Sequence, residues 1–416
     1  MNKKLLLILF CFAVSPIFSQ SFEADLQLKP RLEFRNGYKT LLSGEQDPAT
    51  FVSQRSRLNL LFEQEELEVK LSVQNISVWG EVPTMRTADN NGISLFEAYG
   101  QYNFSSSAKL RLGRQVLSYD NERILGEVNW AQQGQSHDAA LFSWLPAACH
   151  RLDLGVAYNA PSETLFEVPY AINTYQNLQF AWYHLDRDNV GFSFLFMNTG
   201  YEYEAANTGG KTDYIQTFGA YHDFLKGDFS GNISAYGQTG QKMGRDLSAW
   251  YAGLNLNYAL SEAWKIGAGG EYLSGTDMDD TSGELHSFTP LFGTNHAFNG
   301  YMDHFYVGNH QNSVGLVDLY GKLTYSKEKF SFSAIPHFFS SAAEITEADS
   351  DYLGTEIDLV AGYKLGKNIS VNAGYSQMFA TGSLEILKGG DKDNTQNWAW
   401  LMVNFNPQLF SFSKED

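Results

Sequence analysis

The chain has almost no cysteine, little proline and few charges. Of its 416 residues, 2 are Cys, 10 are Pro, and 18% are Asp, Glu, Lys or Arg. Cys11 lies in an N-terminal apolar run, so Cys149 is the lone thiol of the remainder, and one thiol closes no internal disulfide. The fold must therefore be held by its backbone ladder and its packing. Beyond residues 5–14 no apolar run approaches the roughly 18 residues that a membrane-spanning helix needs. Cations are outnumbered, with 29 Lys and Arg against 47 Asp and Glu and a formal charge of −18, which argues against nucleic acid as a partner. Aromatics are plentiful instead: 15% of the chain, with 30 Phe and 23 Tyr, beside 37 Gly. That mixture suits many strands joined by turns, and neither disorder nor a helical bundle.

The N-terminus reads as a secretory leader. Asn2-Lys3-Lys4 precedes the apolar run Leu5 to Val14, and Ser15-Pro16-Ile17-Phe18-Ser19 leads to cleavage near Ser19 or Gln20. Residues 1–20 are assigned to this leader and 21–416 to a single barrel. Bulky Phe10 ahead of Cys11 argues against a lipid anchor there. Losing Lys3 and Lys4 makes the exported chain more acidic still.

The exported part alternates apolar and polar residues with period 2, the signature of strands with one apolar face. In the first segment Leu26, Leu28, Leu32 and Phe34 oppose Gln27, Lys29, Arg31, Glu33 and Arg35. In the second, Leu58, Leu60 and Phe62 oppose Ser53, Arg55, Arg57 and Asn59; in the fourth, Phe96, Ala98, Tyr102 and Phe104 oppose Glu97, Tyr99, Gln101 and Asn103. About eighteen such segments start near Phe22, Phe51, Leu67, Ile93, Ala108, Gln135, Cys149, Thr174, Val190, Thr212, Asp228, Leu247, Ala263, Ser313, Lys329, Leu353, Asn368 and Thr395. Most have the roughly 10 residues that a tilted transmembrane strand requires.

The connections alternate in length. Glu65-Glu66, Asp188-Asn189 and Lys226-Gly227 are tight turns, whereas 37–50, 79–92, 118–134, 161–173, 240–246, 275–312, 340–352 and 381–394 are longer loops. A soluble sandwich has no reason to gather its long loops at one end, and no repeat of about 40 residues marks a propeller. The expected class is all-β: a transmembrane antiparallel β-barrel of about eighteen strands, with short periplasmic turns and long extracellular loops. The outer membrane of a Gram-negative bacterium is its expected place. The apolar face would meet lipid, and the face carrying Arg, Lys, Glu, Asn and Ser would line a wet lumen.

The polar faces of the early strands are rich in cations: Lys29, Arg31, Arg35, Arg55, Arg57, Lys70, Lys109 and Arg111, extended by Arg114 and Arg123. Rings of Arg or Lys in a pore select anions, and Arg clamps carboxylates with paired hydrogen bonds. Other constellations are weaker. His286, His296, Asp303, His304 and His310 share one long stretch, but their spacing matches no compact metal motif. Ser136-His137-Asp138 lie adjacent on a strand, so His137 points away from its neighbours and no triad forms. Asp277, Asp279, Asp280 and Glu284 read as a solvated acidic loop. Neither cofactor, metal nor enzymatic activity is expected.

The run Gly113-Arg114-Gln115, Leu117-Ser118-Tyr119, Asn121-Glu122-Arg123-Ile124-Leu125-Gly126, Asn129-Trp130, Gln133-Gly134 and Ser136-His137-Asp138-Ala139 resembles the alginate-export family of outer-membrane proteins. A second stretch, Ser287-Phe288-Thr289-Pro290-Leu291-Phe292-Gly293-Thr294-Asn295-His296 with Gly300-Tyr301-Met302-Asp303-His304-Phe305, looks like another signature of that family. The resemblance spans nearly all of the exported chain. It implies a monomeric, eighteen-stranded channel with a narrow, Arg-rich lumen that passes an anionic polysaccharide outward, alongside periplasmic export partners. Arg114 and Arg123 are then the best-matched cations and Asp138 the best-matched acid; Arg55, Arg57 and Arg111 follow from strand parity. On this reading Asp120, Glu122 and Asp138 hold Arg114 and Arg123 beside the mouth. A general porin for small anions and an outer-membrane enzyme are the alternatives.

Overall fold

In a bilayer, strands persist only where every backbone N–H and C=O has a partner, so a sheet must close on itself. The computed structural model, which describes residues 20–44, 46–85, 92–170, 174–205 and 209–414, shows this closure. Residues 1–19, within the expected leader of residues 1–20, lie outside the described residues. Nineteen antiparallel strands follow in order: β1 (Gln20–Asn36), β2 (Ala49–Gln64), β3 (Leu67–Val78), β4 (Ser94–Ser105), β5 (Ala108–Gln115), β6 (His137–Trp144), β7 (His150–Tyr158), β8 (Asn177–Arg187), β9 (Val190–Ala205), β10 (Gly209–Lys226), β11 (Phe229–Lys242), β12 (Arg245–Ala259), β13 (Trp264–Leu273), β14 (Leu316–Lys327), β15 (Phe330–Ser340), β16 (Tyr352–Gly366), β17 (Ile369–Ala380), β18 (Gln396–Phe405) and β19 (Gln408–Lys414). One short helix, α1 (Gly382–Lys388), caps a loop.

Each strand from β1 to β18 pairs with its sequence neighbour, and β1 closes the ring against both β18 and β19. Those two are halves of one stave, so the barrel has eighteen staves. The break falls at Asn406-Pro407, where proline has no N–H to give the ladder, and β1 answers with a register shift between Ala24 and Asp25. Every stave begins within three residues of the position that alternation assigned.

The outward face carries the apolar belt: Phe194, Phe196, Phe218, Ile233, Leu254, Leu256, Leu319, Phe379 and Leu401 are all exposed. Aromatic pairs mark its two edges. Trp250 stacks on Tyr272 at 4.2 Å toward the loop end, and Phe229 meets Tyr258 at 4.6 Å toward the turn end. Leu254 lies midway between Trp250 and Tyr258 on β12.

Three sequence expectations need correction. Phe96 was assigned outward by parity, but β4 shifts register between Glu97 and Leu95 opposite Ser72 and Val73. The bulge turns Phe96 inward, where it is buried under Arg57, whose guanidinium carbon sits 3.4 Å from the ring centroid. Residues 240–246 are not a long loop. The ladder continues to Lys242↔Arg245, leaving the two-residue turn Met243-Gly244 with φ of 52° and 76°, the hairpin geometry that positive φ at both positions allows. Finally, the lumen is not wet all round. Leu141, Leu178, Phe180, Leu195, Met197, Ile215, Tyr236 and Tyr251 point inward and are buried in one hydrophobic core. The signal was present in β9, where apolar residues occupy both faces from Phe192 to Met197.

A charge at the belt's centre has no water to meet. Leu254→Arg is expected to destabilise the barrel by about 2–4 kcal/mol in lipid-reconstituted unfolding, with Lys or Arg at the rim residue Thr239 costing far less.

Candidate functional site

Two long loops leave the loop end and fold back into the barrel: 116–136 between β5 and β6, and 274–315 between β13 and β14. They coincide with the two sequence signatures. The first loop is drawn against the wall of β1, β2 and β3 by a run of main-chain carbonyls. Lys29 Nζ donates to the Asn129 carbonyl at 2.7 Å and Arg31 to that of Trp130 at 2.8 Å. Arg55 donates to the carbonyls of Asn129, Ala131 and Gln132, and to the side-chain oxygens of Gln27 and Asn129. All five of its N–H groups are therefore used. Gln74 reaches the Gln133 carbonyl at 2.9 Å. The loop leaves the wall at Gly134, where φ is +67° and a Cβ would come within 2.6 Å of the Phe96 ring.

The second loop locks onto the first. Gly126 N–H donates to the Phe292 carbonyl at 2.9 Å, Phe292 N–H to that of Ile124 at 3.1 Å, and Thr294 N–H to that of Glu122 at 2.9 Å. The Trp130 ring stacks on His296 at 4.6 Å, and the Arg31 guanidinium carbon lies over the same ring, 4.1 Å from its centroid. Acids on the opposite wall hold the second loop. Glu356 accepts the Met302 N–H at 2.7 Å and Asp358 the Tyr301 N–H at 3.2 Å. Asn299 donates to Glu271 at 2.8 Å and to Asp318 at 3.2 Å. Tyr38 donates to Asp303, which also faces His296 at 2.8 Å. Burial pushes the Asp303 carboxyl up, but the charge and hydrogen bond of His296, with Tyr38 and Lys39, outweigh it and hold the group below its ordinary value.

The lumen is thus polarised. Lys29, Arg31, Arg35, Arg55, Arg57, Lys70, Lys109, Arg111 and Arg151 stand on β1 to β7, partly balanced by Glu33, Glu68, Glu97 and Asp153. Glu271, Asp318, Glu356 and Asp358 stand on β13 to β16. Between the loops and the early strands is a cavity of about 440 Å³, lined by Arg31, Arg35, Tyr38, Lys39, Trp130, His296 and Tyr306.

The six expected site residues separate. Arg55 and Arg57 are buried in the wall, Arg57 held by Gln74 at 2.8 Å. Arg111 faces the lumen, bonded to Gln101 at 2.8 Å and lying over Tyr99. Arg123 is fully buried between the loops. It pairs with Glu271 at 2.8 Å and Asn299 at 2.8 Å. Arg114 and Asp138 do form an ion pair, at 2.8 Å, but it lies on the outer face of the barrel, not beside the path. β5 runs on to Gln115 and β6 starts at His137, so strand parity continues through both residues and groups them with Leu112 and Ala140. The expected holders also differ. Asp120 accepts from Trp182 and Ser193, Glu122 accepts from Ser118 and Thr294, and the acid on Arg123 is Glu271, 148 positions downstream. Polar residues within the apolar alternation of β13 and β16 were the available sign of Glu271, Glu356 and Asp358. His137 bonds Tyr175 at 2.8 Å inside, away from Asp138. Among the described residues no three His, Cys, Asp or Glu side chains converge to hold a metal ion.

Two predictions test the lock. Arg123→Ala leaves Glu271 buried without its cation, a loss of about 3–5 kcal/mol in such sites; the second loop should become protease-sensitive while the barrel stays intact. His304 is fully buried, and burial, then the charge of Lys388, push it from 6.5 down to about 4. The docked loop holds it neutral, whereas a released loop would protonate near 6.5. Docking is therefore undiminished above that pH and weakens as pH falls toward 4. Current fluctuations through single channels should rise over that window, and less so in His304→Phe.

The comparisons with known proteins agree with this architecture. No curated protein sequence matches the chain significantly. The barrel superimposes on OccK9 (OpdG) of Pseudomonas aeruginosa with a TM-score of 0.64 at 14% identity, covering 93% of this chain and 98% of that one. It matches the outer-membrane protein OpdK of the same organism with a TM-score of 0.64 at 11% identity, over 94% and 99%. OccK2 (OpdF) of P. aeruginosa, solved in complex with glucuronate, matches with a TM-score of 0.61 at 13% identity, over 94% and 98%. Those likenesses establish the fold. The profile described as alginate export matches residues 63–385, across both inward loops. The chain belongs to the alginate export family, and is an outer-membrane β-barrel channel.

Proposed function

We propose that this channel passes anionic saccharide, an alginate-like polymer or its oligosaccharides, along the basic wall of β1 to β7. The observation that carries this reading is the division of the lumen into cationic and acidic sides, with the cavity of about 440 Å³ opening between the cationic side and the loops. A transverse field of that kind draws a carboxylate to one wall. Arg55, Arg57 and Arg123 spend their hydrogen bonds on the protein, so they contribute charge. Arg35, Lys39 and Arg111, which keep some exposure, make the contacts. The family's description and the glucuronate bound by OccK2 are consistent with this solute class. On this reading the barrel acts as a monomer, without catalysis or cofactor, and periplasmic export proteins deliver the polymer.

A small-anion porin is the second reading. It is favoured by the narrowness that two inward loops impose. Reversal potentials in a KCl gradient test the shared claim: the channel should prefer anions, and Arg111→Ala or Lys39→Ala should lower that preference. Arg114→Ala, three residues from Arg111 but on the outer face, should leave it unchanged. Cation preference in the parent channel would refute both readings. Long block of the current by oligouronates favours the saccharide path, and free passage of small anions without such block favours the porin.

A further inference from the structure

Below the joined loops, toward the turn end, lies a second cavity of about 220 Å³, on the wall of β11 to β15 and away from the basic strands. Phe298 and Tyr301 of the second loop roof it; Asn232, Asn255, Tyr320 and Lys322 are among its walls. Its two carboxylates are already engaged, Glu271 by Arg123 at 2.8 Å and Asp318 by His337 at 2.9 Å. The Lys322 ammonium has no ion pair among the described residues. Strand parity directs Tyr320 and Lys322 inward from β14, one residue apart on the same face.

The backbone behind Tyr320 is shaped for it. Gly269 on β13 is the cross-strand partner of Tyr320, and a Cβ there would lie 2.4 Å from the phenol ring. Any side chain at Gly269 would lift the ring from the wall. With glycine, the phenol end of the ring lies over the neighbouring strand, and the ring lines the cavity. An aromatic ring, two amide side chains and one free ammonium are the groups that hold a pyranose: apolar contact for the ring's C–H face, hydrogen bonds for hydroxyls, and charge for a carboxylate.

We infer that this cavity is a binding subsite for a single hexuronate residue on the periplasmic side of the loops. Tyr320 is its stacking platform, Lys322 its carboxylate contact, and Asn232 and Asn255 its hydroxyl partners. The inference rests on the saccharide reading and deepens it: a polymer end arriving from the periplasm meets this subsite before the cavity lined by Arg31 and Arg35.

The test uses the full-length channel in planar bilayers, with a 1,4-linked hexuronate tetrasaccharide added to one side at a time. Periplasmic-side block should shorten about two- to tenfold in Tyr320→Ala, the scale of one aromatic contact, and also in Lys322→Gln. Tyr320→Phe keeps the ring and should match the parent. Gly269→Val, which displaces the ring without removing it, should behave like Tyr320→Ala. Unblocked conductance and resistance to SDS at room temperature verify that each variant is folded. Block that is unchanged in Tyr320→Ala and Lys322→Gln overturns the subsite while leaving the saccharide path standing. No block of the parent from either side overturns the saccharide path itself. A neutral maltotetraose that blocks as long as the uronate overturns the role of Lys322.

Discussion

The inside of this barrel depends on one kind of interaction: cations of the wall against main-chain carbonyls of a loop. The consecutive carbonyls of Asn129, Trp130, Ala131 and Gln132 meet Lys29, Arg31 and Arg55, and Gln74 takes the next, that of Gln133. Charge-assisted bonds of this type are stronger than neutral ones. They also solve a problem on each side. Cations crowded on two strands need acceptors, and a loop drawn into a lumen loses water from its carbonyls. Each supplies what the other lacks, so the loop is fixed by side chain to main chain contacts.

From that anchor the rest of the interior follows. The first loop presents the edge from Glu122 to Gly126 on which the second loop pairs, and Trp130 on which His296 stacks. The acids of β16 then accept main-chain N–H groups of the second loop, and those of β13 and β14 its Asn299 side-chain amide, the reverse polarity of the first contact. The lumen's charge asymmetry is thus structural as well as electrostatic: one wall binds carbonyls, the other binds amides. Among the cavities that stay open, one lies against the basic strands and another is backed by Gly269.

The barrel was legible in the sequence because its determinant is local. A period of 2 with an apolar face records lipid on one side of each stave, and turn lengths record which end is which. Where local order breaks, so does the reading. A single extra residue in β4 put Phe96 on the wrong face. The polar motif around Arg114 and Asp138 suggests a place beside the mouth, although β5 and β6 carry strand parity through both and turn them outward. The partners of Arg123 were out of reach for a different reason. Glu271 and Asn299 lie 148 and 176 positions away, and no pattern within one loop reports that two loops meet inside a barrel. Likewise, the inward apolar residues of β8 to β12 break the polar alternation without naming what covers them; they are the packing surface for the loops.

The central claim is that two joined loops, held by the basic wall, set the bore. Single-channel conductance of a barrel in which residues 286–310 are replaced by a short Gly-Ser linker tests it most directly. With the second loop gone, the constriction loses one of its two parts, and conductance should rise several-fold in a channel that still folds. A conductance equal to that of the parent would contradict the claim and place the constriction elsewhere.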